Sequence, residues 1–194
     1  MYPDLFQKVV DFHGHCCPGI VYGFRVALAA LKEFGERAKD EELVVIAEND
    51  SCSIDAIQVV AGCTFGKGNF MFKDYGKQVY TFLSRKDRTA VRFSVKPLSV
   101  EETEEEKEAW KFYTAGSRSP EILEIIERRK KKKIDFLLAI SSSELLHINP
   151  CPIKLPEKAR LYQSVVCEQC FEKVMEPRAR LKHGKVVCIP CFEL

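Results

Sequence analysis

Three things are scarce in these 194 residues: net charge, tryptophan and long apolar runs. A formal net charge of +2 gives no overall field that would commit the chain to nucleic acid or to a membrane surface. No apolar run approaches the ~18 residues that a spanning helix needs. The opening Met1-Tyr2-Pro3-Asp4-Leu5-Phe6 has neither a basic start nor a long apolar core. A signal peptide is therefore not expected, and the cytoplasm is the expected compartment. The length suits one domain with a small appendage.

Cysteine, by contrast, is abundant. There are nine, an odd number, at spacings that do not look like a disulfide framework, and a reducing cytosol would oppose one. They are expected to be metal ligands, reactive thiols or small core residues.

The densest chemistry lies in His13-Gly14-His15-Cys16-Cys17-Pro18-Gly19. A helix is expected to follow at once. Pro18 suits its first turn, and Ile20, Val21, Phe24, Leu28 and Leu31 recur at helical spacing up to a cap at Gly35. A helix N-terminus favours a thiolate placed beside it. Residues 4–12 read as a shorter helix before this stretch. Arg25 reads as a surface or partner-paired side chain.

Residues 43–47 form a β-branched run, expected to be a buried strand. It leads into Glu48-Asn49-Asp50-Ser51-Cys52-Ser53 and a second helix, with Ser53 as its cap and Gly62 as its end. Cys52 thus also precedes a helix. Asp55 falls in that helix's first turn, where a carboxylate is favoured whether or not it binds anything. Gly62-Cys63-Thr64-Phe65-Gly66-Lys67-Gly68-Asn69 fails as a phosphate loop: three residues separate its glycines, and Gly68 follows the lysine. Strands are expected at 70–72, 78–83 and 89–95.

Two helices are expected at 101–115 and 119–133. The acidic run Glu101, Glu102, Glu104, Glu105, Glu106 and the basic run Arg128 to Lys133 then read as solvated helix ends, acids at an N-terminus and bases at a C-terminus. Ile134 to Ile140 reads as a further strand, and His147 as a satisfied or exposed histidine. Pro152 and Pro156 mark a linker near 150–158, dividing a core domain, 1–155, from a module, 156–194.

That module carries Cys167-Glu168-Gln169-Cys170 and Cys188-Ile189-Pro190-Cys191, seventeen residues apart. The spacing is that of a structural zinc site: each pair presents two sulfurs from one turn, and four thiolates close a tetrahedral shell. Lys182-His183-Gly184-Lys185 reads as a hairpin turn between the pairs, in a treble-clef or zinc-ribbon arrangement. Residues 156–194 hold seven Lys and Arg against five Asp and Glu, and zinc with four thiolates adds −2. A near-neutral module lacks the basic face that DNA binding needs, so protein contact is favoured over nucleic acid.

Read together, the motifs resemble the FmdE family, named for a component of formylmethanofuran dehydrogenase. The resemblance rests on His13-Gly14-His15 with Cys17-Pro18-Gly19, Gly23 and Arg25. It continues in Cys52 with Asp55-Ala56-Ile57-Gln58, Gly62-Cys63-Thr64, Gly66-Lys67-Gly68-Asn69 and Gly76-Lys77. Some members carry a C-terminal treble-clef finger. The resemblance implies an α+β fold, an antiparallel sheet with packed helices, a homodimer, and a second metal site in the core. The implied partners are subunits of a molybdenum or tungsten oxidoreductase.

His15, Cys17 and Cys52 are the first candidates for the core ligands, with His13 and Cys63 next. His13 and His15, two residues apart, would share a face if the stretch were extended. Imidazole and thiolate together suit Zn²⁺ or another borderline-to-soft transition metal. The expected role is that of a metal-binding accessory protein. The alternatives are a metal-dependent enzyme assisted by Asp55 or Asp50, a thiol-redox protein using Cys17 and Cys52, and a regulator acting through the zinc finger.

Overall fold

In the computed structural model, which describes residues 3–152 and 154–194, the chain separates into two units, Met1–Lys158 and Ala159–Leu194. The first is α+β. Its elements in order are α1 (Pro3–His13), α2 (Pro18–Phe34), β1 (Leu43–Ala47), α3 (Ser53–Ala61), β2 (Phe70–Phe72), β3 (Val79–Ser84) and β4 (Thr89–Val95). They continue with α4 (Glu104–Thr114), α5 (Pro120–Ala139), a one-turn α6 (Ser142–Leu145) and β5 (Leu146–Pro150).

The sheet runs β2-β1-β3-β4-β5. Only β1 and β2 are parallel; the other pairs are antiparallel, with Val45 opposite Phe82 and Phe82 opposite Val91. Alternation along the strands sends Val45, Ala47, Tyr80, Phe82 and Phe93 to one face, where they pack with Ile20, Phe24 and Ile57 of the helices. Each such large apolar side chain contributes about 1.5–3 kcal/mol by leaving water. The other face carries Val44, Ile46, Leu83 and Ala90 beneath Cys151 and Leu155. Because both faces are covered, all five residues of β1 are buried, which explains their unbroken apolar run. Arg85 holds the chain after β5 in place through the carbonyls of Pro156 and Glu157.

Helices α2 and α3 approach very closely. A Cβ on Gly23 would stand 2.1 Å from the Ser53 carbonyl oxygen, so only glycine permits this crossing. The expected cap of α3 is corrected: Cys52 holds the cap position, and Ser53 is the first helical residue, buried, with its hydroxyl bonded to Tyr80.

The expected strand at 134–140 is helix instead. No breaker separates Lys133 from Ile134, and straight-chain lysines continue a helix well. Ile134, Leu137 and Leu138 then lie on a face against the core. The basic run is therefore inside α5, not at its end. Arg25 completes the C-terminus of α5, donating to the carbonyls of Leu137 (2.6 Å), Leu138 (3.2 Å) and Ile140 (2.6 Å). The acidic run does start α4, through a capping box between Thr103 and Glu106. The two charge blocks meet each other: Glu102 pairs with Arg129, Glu105 with Arg128 and Glu106 with Lys132. His147 lies exposed on β5.

The second unit has two small hairpins, β6 (Ser164–Val166) with β7 (Lys173–Met175) and β8 (Arg180–Lys182) with β9 (Lys185–Val187), and a short α7 (Ile189–Glu193). His183 and Gly184 both have positive φ, as a tight hairpin turn requires. Among the described residues no helix is long and apolar enough to cross a membrane.

Candidate metal centre

Three helix ends converge in the first unit. His13 is the last residue of α1. Gly14, at φ +87°, turns the chain out of the helix while its N–H still reaches the Val10 carbonyl. Four residues after His13, Cys17 takes the cap position of α2 in an extended conformation, with Pro18 fixing the first turn. Cys52 takes the cap position of α3. Both thiols therefore sit where a helix dipole favours the thiolate, and the imidazole sits at the helix end that favours a cation.

One donor atom each from His13, Cys17 and Cys52 lies within 4.8 Å of the others. His13 Nε2 is 3.9 Å from Cys17 Sγ. On the opposite side of the ring, Nδ1 is 2.6 Å from Asp55 Oδ2. With the proton on Nδ1 the ring donates to the carboxylate, and the Nε2 lone pair is turned toward the sulfur. This is how a carboxylate orients a metal-binding histidine. Asp55 thus has a third role beyond the dipole and ligand readings. Burial first, and the neighbouring Cys17 second, push the Cys52 thiol up.

The loop bearing Cys52 is held from beneath by a polar network. Asn49 Oδ1 accepts from the Ser51 N–H (3.2 Å) and hydroxyl (2.7 Å), and Asn49 Nδ2 donates to the Lys77 carbonyl (2.7 Å). Tyr80 bonds Ser53 and donates to Gln78 Oε1. Gly19 leaves room on the α2 side: a Cβ there would meet Cys52 Cβ at 2.9 Å.

The other sequence candidates stand elsewhere. The stretch is not extended, so His13 and His15 do not share a strand face. His15 is exposed and lies outside the three-residue group, its ring 4.4 Å from that of His13. Cys63 is fully buried, its thiol pushed up to about 12 by desolvation and donating to the Leu43 carbonyl. It is a core residue, not a partner of the cluster. Cys16 is half-buried against the core, and burial raises its thiol also. The sequence alone does not assign Asn49 and Tyr80 to the site, since only the fold links a Tyr on one strand to the loop after another.

In the second unit, ligand atoms of Cys167, Cys170, Cys188 and Cys191 lie within 4.8 Å of one another. Cys170 and Cys188 sulfurs are 3.7 Å apart. Phe171 at φ +64° closes the first knuckle. Backbone N–H groups draw the Cys167 thiol down to about 6, that of Cys170 most, with Cys188 donating at 3.3 Å.

Residues 12–147 match the family model described as "FmdE, Molybdenum formylmethanofuran dehydrogenase operon". The chain belongs to the FmdE family. Residues 160–194 match the prokaryotic dksA/traR C4-type zinc finger. The crystal structure of a tungsten formylmethanofuran dehydrogenase FmdE-like protein from Syntrophus aciditrophicus is similar in fold. Its TM-score is 0.62 at 22% identity, covering 98% of this chain and 91% of that one. A "Probable S-adenosyl-L-methionine-binding protein" of Archaeoglobus fulgidus is 28% identical over 200 residues. The match covers 96% of this FmdE chain and 52% of that protein, so the chain spans about half the length of this relative.

Proposed function

We propose that this FmdE-family chain is a cytoplasmic accessory protein that binds a transition metal at His13, Cys17 and Cys52. The proposal includes a structural zinc at Cys167, Cys170, Cys188 and Cys191. The reading rests on one observation: three donor atoms within 4.8 Å of one another, with the histidine turned by Asp55. One imidazole and two thiolates suit Zn²⁺ or another borderline-to-soft metal. Three protein ligands leave a coordination position for water or a substrate group, where a bound metal would act as a Lewis acid. Asp55 holds the His13 ring and its proton at Nδ1; Asn49 and Tyr80 hold the Cys52 loop. Subunits of a molybdenum or tungsten oxidoreductase are the proposed partners, from the operon for which the family is named, and a homodimer is the proposed assembly.

The test is metal content per chain for the wild type and for a Cys17→Ala/Cys52→Ala variant. About two equivalents falling to about one supports the reading. One equivalent of zinc in both would sink the core site. A second reading, reversible thiol chemistry, is favoured by the closeness of the Cys17 and Cys52 sulfurs. It predicts a disulfide between them on mild oxidation and no second metal.

A further inference from the structure

Beside the cluster lies a cavity of about 310 Å³. His13, Cys52 and Asp55 form one side of it, and Phe65, Phe70 and Phe72 another. The Phe65 and Phe70 rings lie 4.9 Å apart. Phe70 is buried, but Phe65 and Phe72 are 59% and 41% exposed. Two large rings left open at the rim of one cavity, beside polar groups, form the kind of patch that marks a binding site.

The charge in the cavity has one sign. Asp50 and Asp55 line it, and no Lys or Arg does. Asp55 is engaged by His13, but among the described residues no hydrogen bond or ion pair engages the Asp50 carboxylate. Asn49 and Ser51, the neutral polar groups of the wall, are committed to the network under the Cys52 loop. A divalent metal held by two thiolates and a neutral histidine adds no net charge, so the two carboxylates set the sign whether or not the metal is bound. An anionic ligand would meet the repulsion of both carboxylates with no Lys or Arg in the lining to offset it. A flat cation would find ring faces and a free carboxylate.

We infer that this cavity binds a small planar organic cation beside the cluster, its ring against Phe65 and Phe72 and its charge near Asp50. The inference rests on the proposed metal site only for what the ligand would be held next to.

The experiment titrates the full-length protein calorimetrically with three rings of one size and different charge: 1-methylnicotinamide, nicotinamide and nicotinate. The expected order is cation, neutral, anion, with about tenfold between the first and last. Asp50→Asn is expected to remove the advantage of the cation and leave nicotinamide unchanged. Phe72→Ala is expected to weaken cation and neutral ring alike. Nicotinate binding as tightly as the cation would overturn the inference, as would no binding of any of the three at millimolar concentration. Metal content measured on the same samples separates the two readings. Charge selection without a second metal keeps the cavity and sinks the metal site; a second metal without charge selection does the reverse.

Discussion

The second unit draws four sulfurs from two knuckles seventeen residues apart, whereas the first draws an imidazole and two sulfurs from three helix ends. A zinc in the four-sulfur cluster would have all four of its positions filled from protein. The proposed three-ligand site would keep one open, and it faces a cavity. Their supports differ as well. Cys167, Cys188 and Cys191 are themselves most of the apolar core of their unit, with Val187. His13, Cys17 and Cys52 sit at the margin of a core that is complete without them. A metal should therefore hold one unit together and merely occupy the other.

The largest expected effect follows from that difference. Cys191→Ala should unfold the second unit, because the proposed zinc would supply on the order of 10 kcal/mol of its folding energy. The α5 and β-sheet resonances of the first unit should stay in place. NMR spectra before and after chelation would show it. If the second unit kept dispersed shifts without metal, the contrast between the clusters would fail.

Gly23→Ala should do the opposite. The new Cβ would land on the Ser53 carbonyl at 2.1 Å, and backbone cannot yield as a side chain can. Forcing α2 from α3 should cost about 3 kcal/mol, lowering the thermal midpoint of the first unit only. It should also loosen the cluster, since α3 carries Cys52 at its start. A variant with wild-type stability would mean that the helix crossing is softer than its geometry implies.

Asp55→Asn sharpens the comparison further. The amide still fits beside His13 but carries no charge and no longer fixes the ring tautomer. Metal affinity at the three-ligand site should fall about 10–100-fold, as losses of such orienting groups do. The four-sulfur site has no histidine to orient and should keep its zinc. Competition with a chromophoric chelator would resolve the two sites. Equal weakening at both would refute a local role for Asp55.

The two clusters also differed in how much of them sequence could reveal. The Cys167–Cys191 set was readable because both of its pairs are local turns, and spacing alone brings each pair together. The three-ligand site is assembled by helix packing, and spacing could not choose between His13 and His15. Periodicity placed α1, α2 and β1 well, since each buries one face or both. It failed at 134–140, where a short apolar run fits strand or helix equally and only the contact with Arg25 and the core decides. The meeting of the acidic and basic runs was hidden for the same reason: it depends on α4 lying against α5.

The smallest expected effect lies in that hairpin, far in character from either cluster. The Thr103 N–H, with Lys132 adding to it, holds the Glu106 carboxyl below its usual value of 4.5. A lowered carboxyl stabilises the fold fully above the ordinary value and stops doing so as pH falls through the lowered one. Acid should therefore loosen the start of α4 at a pH below about 4.5, while the Cys191 and Gly23 effects persist at neutral pH. Trp110 is the only tryptophan, and the Arg129 guanidinium lies 4.4 Å from its ring, so its fluorescence reports on this hairpin. The acid transition in that signal should flatten in Glu106→Gln, which keeps the side-chain shape and cannot titrate. An unchanged transition in the variant would assign the acid sensitivity to the Glu102–Arg129 pair beside it.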